Sequence, residues 1–153
     1  MKIAVGSDHP AYHMKEAVKA HLSERGIDVV DVGTDSTEST HYPKYGSAVG
    51  ELVADGSVDK GIAMCGTGIG ISIAANKVPG VRAALCLHEA HATLSREHND
   101  ANVLAMGARF TAIEHALSIV DAWLEADFEG GRHETRVSMI TALDTRWKNA
   151  SDS

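Results

Sequence analysis

The 153-residue chain has no excess of positive charge. Its 14 Lys and Arg stand against 21 Asp and Glu, a net charge of −7 with histidine neutral. That balance argues against nucleic acid or an anionic membrane surface as the main partner. A small anionic substrate stays possible, because it needs only a few local cations. Cysteine is scarce as well: only Cys65 and Cys86 are present, in no CxxC pair. Together with the lack of a secretory apolar core after Met1, this points to a reduced, cytoplasmic, soluble protein. The longest apolar runs fall far short of the ~18 residues of a membrane span. Internal repeats and low-complexity segments are also missing.

What is present suits one packed domain. Hydrophobic residues make up 44% of the chain. A domain of ~150 residues buries roughly 70% of its unfolded surface. One domain over residues 1–148 is expected, with a tail at 149–153 that frays. Strand-like and helix-like stretches alternate. Strands are expected at 2–6, 27–33, 61–65, 81–86 and 102–107. Helices are expected at 10–25, with Gly26 as a stop, then at 44–55, 69–77 and 89–99. Thr111 and Glu114 have the spacing of a capping box, opening a helix to about residue 126. "EGG" at 129–131 breaks the chain before a last helix near 132–148. That helix carries Val137, Ile140, Leu143 and Trp147 at helical spacing.

Five strands separated by helices predict an α/β fold: a Rossmann-like, three-layer domain with a five-stranded parallel sheet. Its strands are continuous apolar runs, as burial on both faces requires. Ligands in such sheets bind beyond the carboxyl ends of the strands. Ser7-Asp8-His9 follow the first strand there. His41 and Tyr42 lie in the loop after the second. Cys65-Gly66-Thr67-Gly68-Ile69-Gly70 follow the third, His88-Glu89 the fourth and Gly107-Ala108-Arg109 the fifth. Acid, base, thiol, phenol and guanidinium thus converge on one edge.

The glycine turn offers N–H groups for an anion. Its likeness to a dinucleotide fingerprint is weak. It follows the third strand, Ser72 holds the last glycine place, and no acidic ribose-binding residue follows at the right distance. Position alone leaves Cys65 open between packing and chemistry. Cys86 reads as core. Of nine histidines, His88, His91 and His98 make only a weak metal pattern. His13, His21, His115 and His133 read as solvated. Arg132 and Arg136 share a helix face and suit a phosphate. On spacing alone, ion pairing with Glu129 or Glu134 is the favoured reading.

Several blocks together are more specific: "IAVGSDHPAY", "CGTGIGISIAANKVPGVRAALC", "SREHNDANVLAMGAR" and "DAWLEADFEGGRHETRV". With these the chain resembles the type B ribose-5-phosphate isomerases and their relatives, the galactose-6-phosphate isomerase subunits, over nearly its whole length. The resemblance implies aldose–ketose isomerisation of a sugar phosphate through a cis-enediolate, with no metal and no cofactor. It implies Cys65 as general base, with Thr67 and the N–H groups of Gly66, Gly68, Ile69 and Gly70 holding the enediolate oxygens. His98 would assist ring opening. Asp8 and Tyr42 would contact the sugar, and His9, Arg132 and Arg136 the phosphate. Asn99 and Arg109 would complete the site. A second branch of the family uses a Glu just after the turn; Ile71 stands there in this chain, so the cysteine pattern applies. The resemblance also implies a homodimer whose active sites are shared between chains; whether dimers pair into tetramers is open. Hexose 6-phosphates (allose or galactose 6-phosphate) are the alternative substrates. A non-catalytic nucleotide-binding module is the alternative of another class.

Overall fold

The structure is a computed structural model and describes residues 1–151. Its strands are β1 (Lys2–Ser7), β2 (Asp28–Asp31), β3 (Lys60–Cys65), β4 (Ala83–Leu85) and β5 (Val103–Gly107). Its helices are α1 (Tyr12–Glu24), α2 (Tyr42–Ala54), α3 (Ile69–Asn76), α4 (Glu89–Asn99), α5 (Ile113–Glu125) and α6 (Arg132–Ser151). A 3-10 turn, His9–Ala11, precedes α1. All strand pairs are parallel, in the order β2-β1-β3-β5-β4. The chain leaves β1 toward β2 and later continues from β3 in the other direction. The crevice therefore opens at the carboxyl ends of β1 and β3.

The three central strands are apolar between their end residues, and residue size alternates along them. Ile3, Val5, Ile62, Met64, Leu104 and Met106 face one side and pack on α1, α4 and α5, around the fully buried Trp123. Ala4, Ala63, Cys65, Val103 and Ala105 face α2 and α3. Small residues on that face let α2 lie close. A Cβ on Gly6 would stand 2.7 Å from Val49, and one on Gly61 only 2.4 Å from it. Gly26 ends α1 in the left-handed region, as expected of a helix stop.

Several boundaries differ from the sequence expectation. β4 is only three residues long. Side-chain oxygens of Asn102 and Asn76 take the Arg82 and Ala83 amides, at 2.7 and 2.8 Å. The Thr111–Glu114 capping box does not form. Ala112 is the N-cap and no side chain caps the helix. The helix starts one residue later than the motif requires, which leaves Thr111 buried before it. α6 continues to Ser151 because no Gly or Pro interrupts it after residue 131.

Candidate active site

The turn after β3 is built by glycines that bring backbone against backbone. A Cβ on Gly107 would lie 2.4 Å from the Thr67 carbonyl group. Gly68 has φ +77 and presses on Met106 and Leu85. The Ala108 and Arg109 amides donate to the Cys65 and Gly66 carbonyls, each at 2.9 Å. The turn is thereby locked to the end of β5, and the start of α3 points into the cleft. Cys65 is 4% exposed. Its Sγ accepts the Gly68 N–H at 3.2 Å, and Thr67 Oγ1 accepts the Ile69 N–H at 3.1 Å. Two turn amides expected for substrate are thus engaged by the turn's own side chains. The Gly68 amide offers a hydrogen bond to a thiolate.

A cleft of about 530 Å³ lies above this turn. Asp8, His9, Tyr42, Cys65, Gly66, Thr67, Ile69, Gly70 and Arg109 all line it. Gly68 sits behind this lining, on β5. The Tyr42 ring covers Gly70 so closely that a Cβ there would meet it at 2.5 Å. The Arg109 guanidinium lies over Gly66 in the same way, 3.1 Å from a Cβ position. Tyr42 is the first residue of α2, not a loop residue.

Asp8 is 4% exposed, and its Oδ1 has no hydrogen-bond partner. Burial pushes its carboxyl above the ordinary range, against the pull of His9, the Ala11 amide and Arg109. His9 Nδ1 accepts the Thr40 N–H at 3.1 Å. A neutral His9 therefore carries its proton on Nε2, free to donate. Thr40 was not foreseen as a site residue, and neither were Pro10 and Ile73, which also line the cleft. Ile69 and Ile73 had a sequence signal: they are apolar residues four apart on one face of α3, while Ile71 and Ala75 are the buried ones.

Four expected residues are elsewhere. His98 and Asn99 end α4, only a few residues before β5 begins. They stand at the amino edge of the sheet, whereas Cys65 pairs with Gly107 at the carboxyl edge. A five-residue strand separates the edges by roughly 15 Å. Arg132 and Arg136 open α6 beside the end of α4, where the Glu129 amide bonds the Glu97 carbonyl at 3.1 Å.

The histidines also redistribute. His88 caps α4, its ring tilted against that of His91 with centroids 3.8 Å apart, while His98 lies about 15 Å along the helix. The His88/His91/His98 group does not assemble. His133 is 5% exposed, not solvated, because the His98 ring covers it at 4.2 Å. Glu129 turns to these two histidines, and among the described residues no carboxylate pairs with Arg132 or Arg136. Cys86 is core, as expected; burial pushes its thiol up to about 11 despite a hydrogen bond with Ser95.

The model of one family, ribose/galactose isomerase, matches residues 3–140. Ribose-5-phosphate isomerase B of Escherichia coli is 56% identical over 145 residues, covering 95% of this chain and 97% of that protein. The solved structure of Clostridium thermocellum ribose-5-phosphate isomerase B superposes with a TM-score of 0.95 at 52% identity, over 96% of this chain and 99% of that one. That of ribose-5-phosphate isomerase B from Mycoplasma genitalium, with bound ribulose-5-phosphate, gives 0.91 at 40% identity, over 94% and 96%. With a family model matched over residues 3–140 and a relative 56% identical across 95% of its length, the chain belongs to the ribose/galactose isomerase family.

Proposed function

We propose that the chain interconverts ribose 5-phosphate and ribulose 5-phosphate, with Cys65 as the general base. One observation carries this reading: Cys65 Sγ, held by the Gly68 amide, opens onto a cleft ringed by Asp8, His9, Tyr42 and Arg109. The 56% identity with a ribose-5-phosphate isomerase B supports the substrate. A C–H beside a carbonyl is a weak acid, so the charge formed must be held as it develops. The Cys65 thiolate removes the proton from C2, and the electron pair moves onto the C1 oxygen to give a cis-enediolate. The Thr67 hydroxyl and the free turn amides hold the two oxygens. The thiol returns the proton to C1, the hydroxyl proton passes from the C2 oxygen to the C1 oxygen, and C2 becomes the carbonyl. No metal or cofactor takes part in these steps.

His98, Asn99, Arg132 and Arg136 reach this cleft from a second copy of the chain. Their place at the far edge of the sheet supports a homodimer with shared sites. His9 Nε2 and the two arginines hold the phosphate, and His98 opens the ring. α6 supplies the contact surface: Met139, Ile140, Leu143 and Trp147 are all exposed, and His133 is its only buried residue among those described.

The test is the rate of ribose 5-phosphate conversion by Cys65→Ala and Cys65→Ser. A positioned base contributes about 10²–10⁴-fold, and both variants should lose that much kcat while remaining folded. Near-native turnover by Cys65→Ala would remove the thiol from the mechanism. Allose and galactose 6-phosphates assayed alongside should give lower kcat/KM. A higher value for either would make the chain a hexose-phosphate enzyme.

A further inference from the structure

The Glu129–His133 turn and the end of α4 form a second cluster that the reaction above uses only through His98. His133 Nε2 is buried and has no hydrogen-bond partner. Glu129 Oε2 stands 3.6 Å from it, just beyond bonding range, and 4.0 Å from His98 Nε2. The ligand atoms of all three residues lie within 4.8 Å of one another.

The frame around them is fixed. The Glu129 amide bonds Glu97, next to His98, at 3.1 Å. Gly130 and Gly131, both at positive φ, fold the chain so that the His133 amide bonds the Gly130 carbonyl at 3.0 Å. Two imidazoles and one carboxylate are a donor set for a borderline divalent ion rather than for magnesium or calcium.

We propose that His98, Glu129 and His133 bind a transition-metal dication of the Zn²⁺ class, and that binding inhibits the enzyme by occupying His98. Metal–ligand bonds of about 2.0–2.2 Å bring the donors of a tetrahedral site to roughly 3.3 Å apart. Closing from the present spacing needs about an ångström of movement. His98 and Glu129, 37% and 51% exposed, can supply it while His133 stays in place. The His98 ring must also turn out of its parallel stack, now 11° from the plane of His133. The inhibitory half rests on the reading of His98 as the ring-opening residue; the binding half does not.

The experiment titrates ZnCl₂ into the full chain by calorimetry and CoCl₂ by visible absorption, then assays turnover with and without Zn²⁺ and EDTA. Wild type and Cys65→Ser should each bind one ion per chain at this site. So should a His88→Ala/His91→Ala double variant. Glu129→Gln and His133→Gln should weaken binding by at least about tenfold. Glu129 is exposed, so that variant answers the question even where His133→Gln misfolds. Zn²⁺ should inhibit wild type, EDTA should restore full turnover, and Glu129→Gln should resist inhibition. Undiminished affinity in Glu129→Gln, loss of binding in Cys65→Ser or in the double variant, or no binding at millimolar Zn²⁺ would overturn the site. Binding with unimpaired turnover would overturn the inhibition. The rate of His98→Ala then shows whether the role of His98 failed with it.

Discussion

Asp8 is buried at a strand end with one oxygen unbonded, a costly place for a charge. Its folded-state carboxyl lies above its ordinary value of 3.8. The folded chain therefore keeps the proton longer than the unfolded chain does. Stability falls as pH rises from that value through the raised one, and the ionised group is a net cost above both. Asp8→Asn should melt higher than wild type at pH 7, with the gap closing in acid. Each 1 kcal/mol relieved is worth about 2–4 °C at this size. Turnover should fall in the same variant. An unchanged or lower melting temperature at pH 7 would show that the carboxylate is not strained. Cys65 and Cys86 make the same point about surroundings: Cys65 ends β3, Cys86 directly follows β4, and both are buried. Only Cys65 has a glycine turn that offers its sulfur an amide. Residue type and position were legible in the sequence. The donor partners were not, because Gly68 and Thr40 act through their backbone, which any residue possesses.

The α2 helix depends on what the sheet leaves out beneath it. Val49 fills the groove over Gly6 and Gly61. Gly61→Ala should cost about 1–3 kcal/mol by overpacking. Adding Val49→Ala should recover part of that, with a coupling energy of about 1 kcal/mol in a double-mutant cycle. Strict additivity in denaturant titrations would mean that the two positions do not meet. Strand and helix order could be read directly, since Gly26, the β-branched runs and the apolar periodicity are local signals. Element ends were less legible. β4 is cut short by Asn76 and Asn102 arriving from elsewhere in the fold, and the capping motif at Thr111 was outweighed by burial of Thr111 itself. His133 shows the same limit: nothing in its neighbours announces a ring stacked on it from α4.

In the whole molecule, Cys65 and His98 stand at opposite edges of the sheet, and the proposed function joins them through a second copy. Mixing Cys65→Ala chains with His98→Ala chains after partial unfolding should restore activity toward one working site per heterodimer. Failure despite confirmed subunit exchange would place both residues in a single chain's site. The described helices include none long and apolar enough to cross a membrane. In the proposed homodimer, the apolar stripe on α6 is the surface that a second copy covers. The floor of the cleft also sets a direction for change. Gly66 and Gly70 are already covered by Arg109 and Tyr42, and Gly68 and Gly107 already touch backbone. No residue is smaller than glycine. Substitution can make this floor shallower but never deeper, so room for a longer sugar has to come from the walls, at Tyr42 or Ile73.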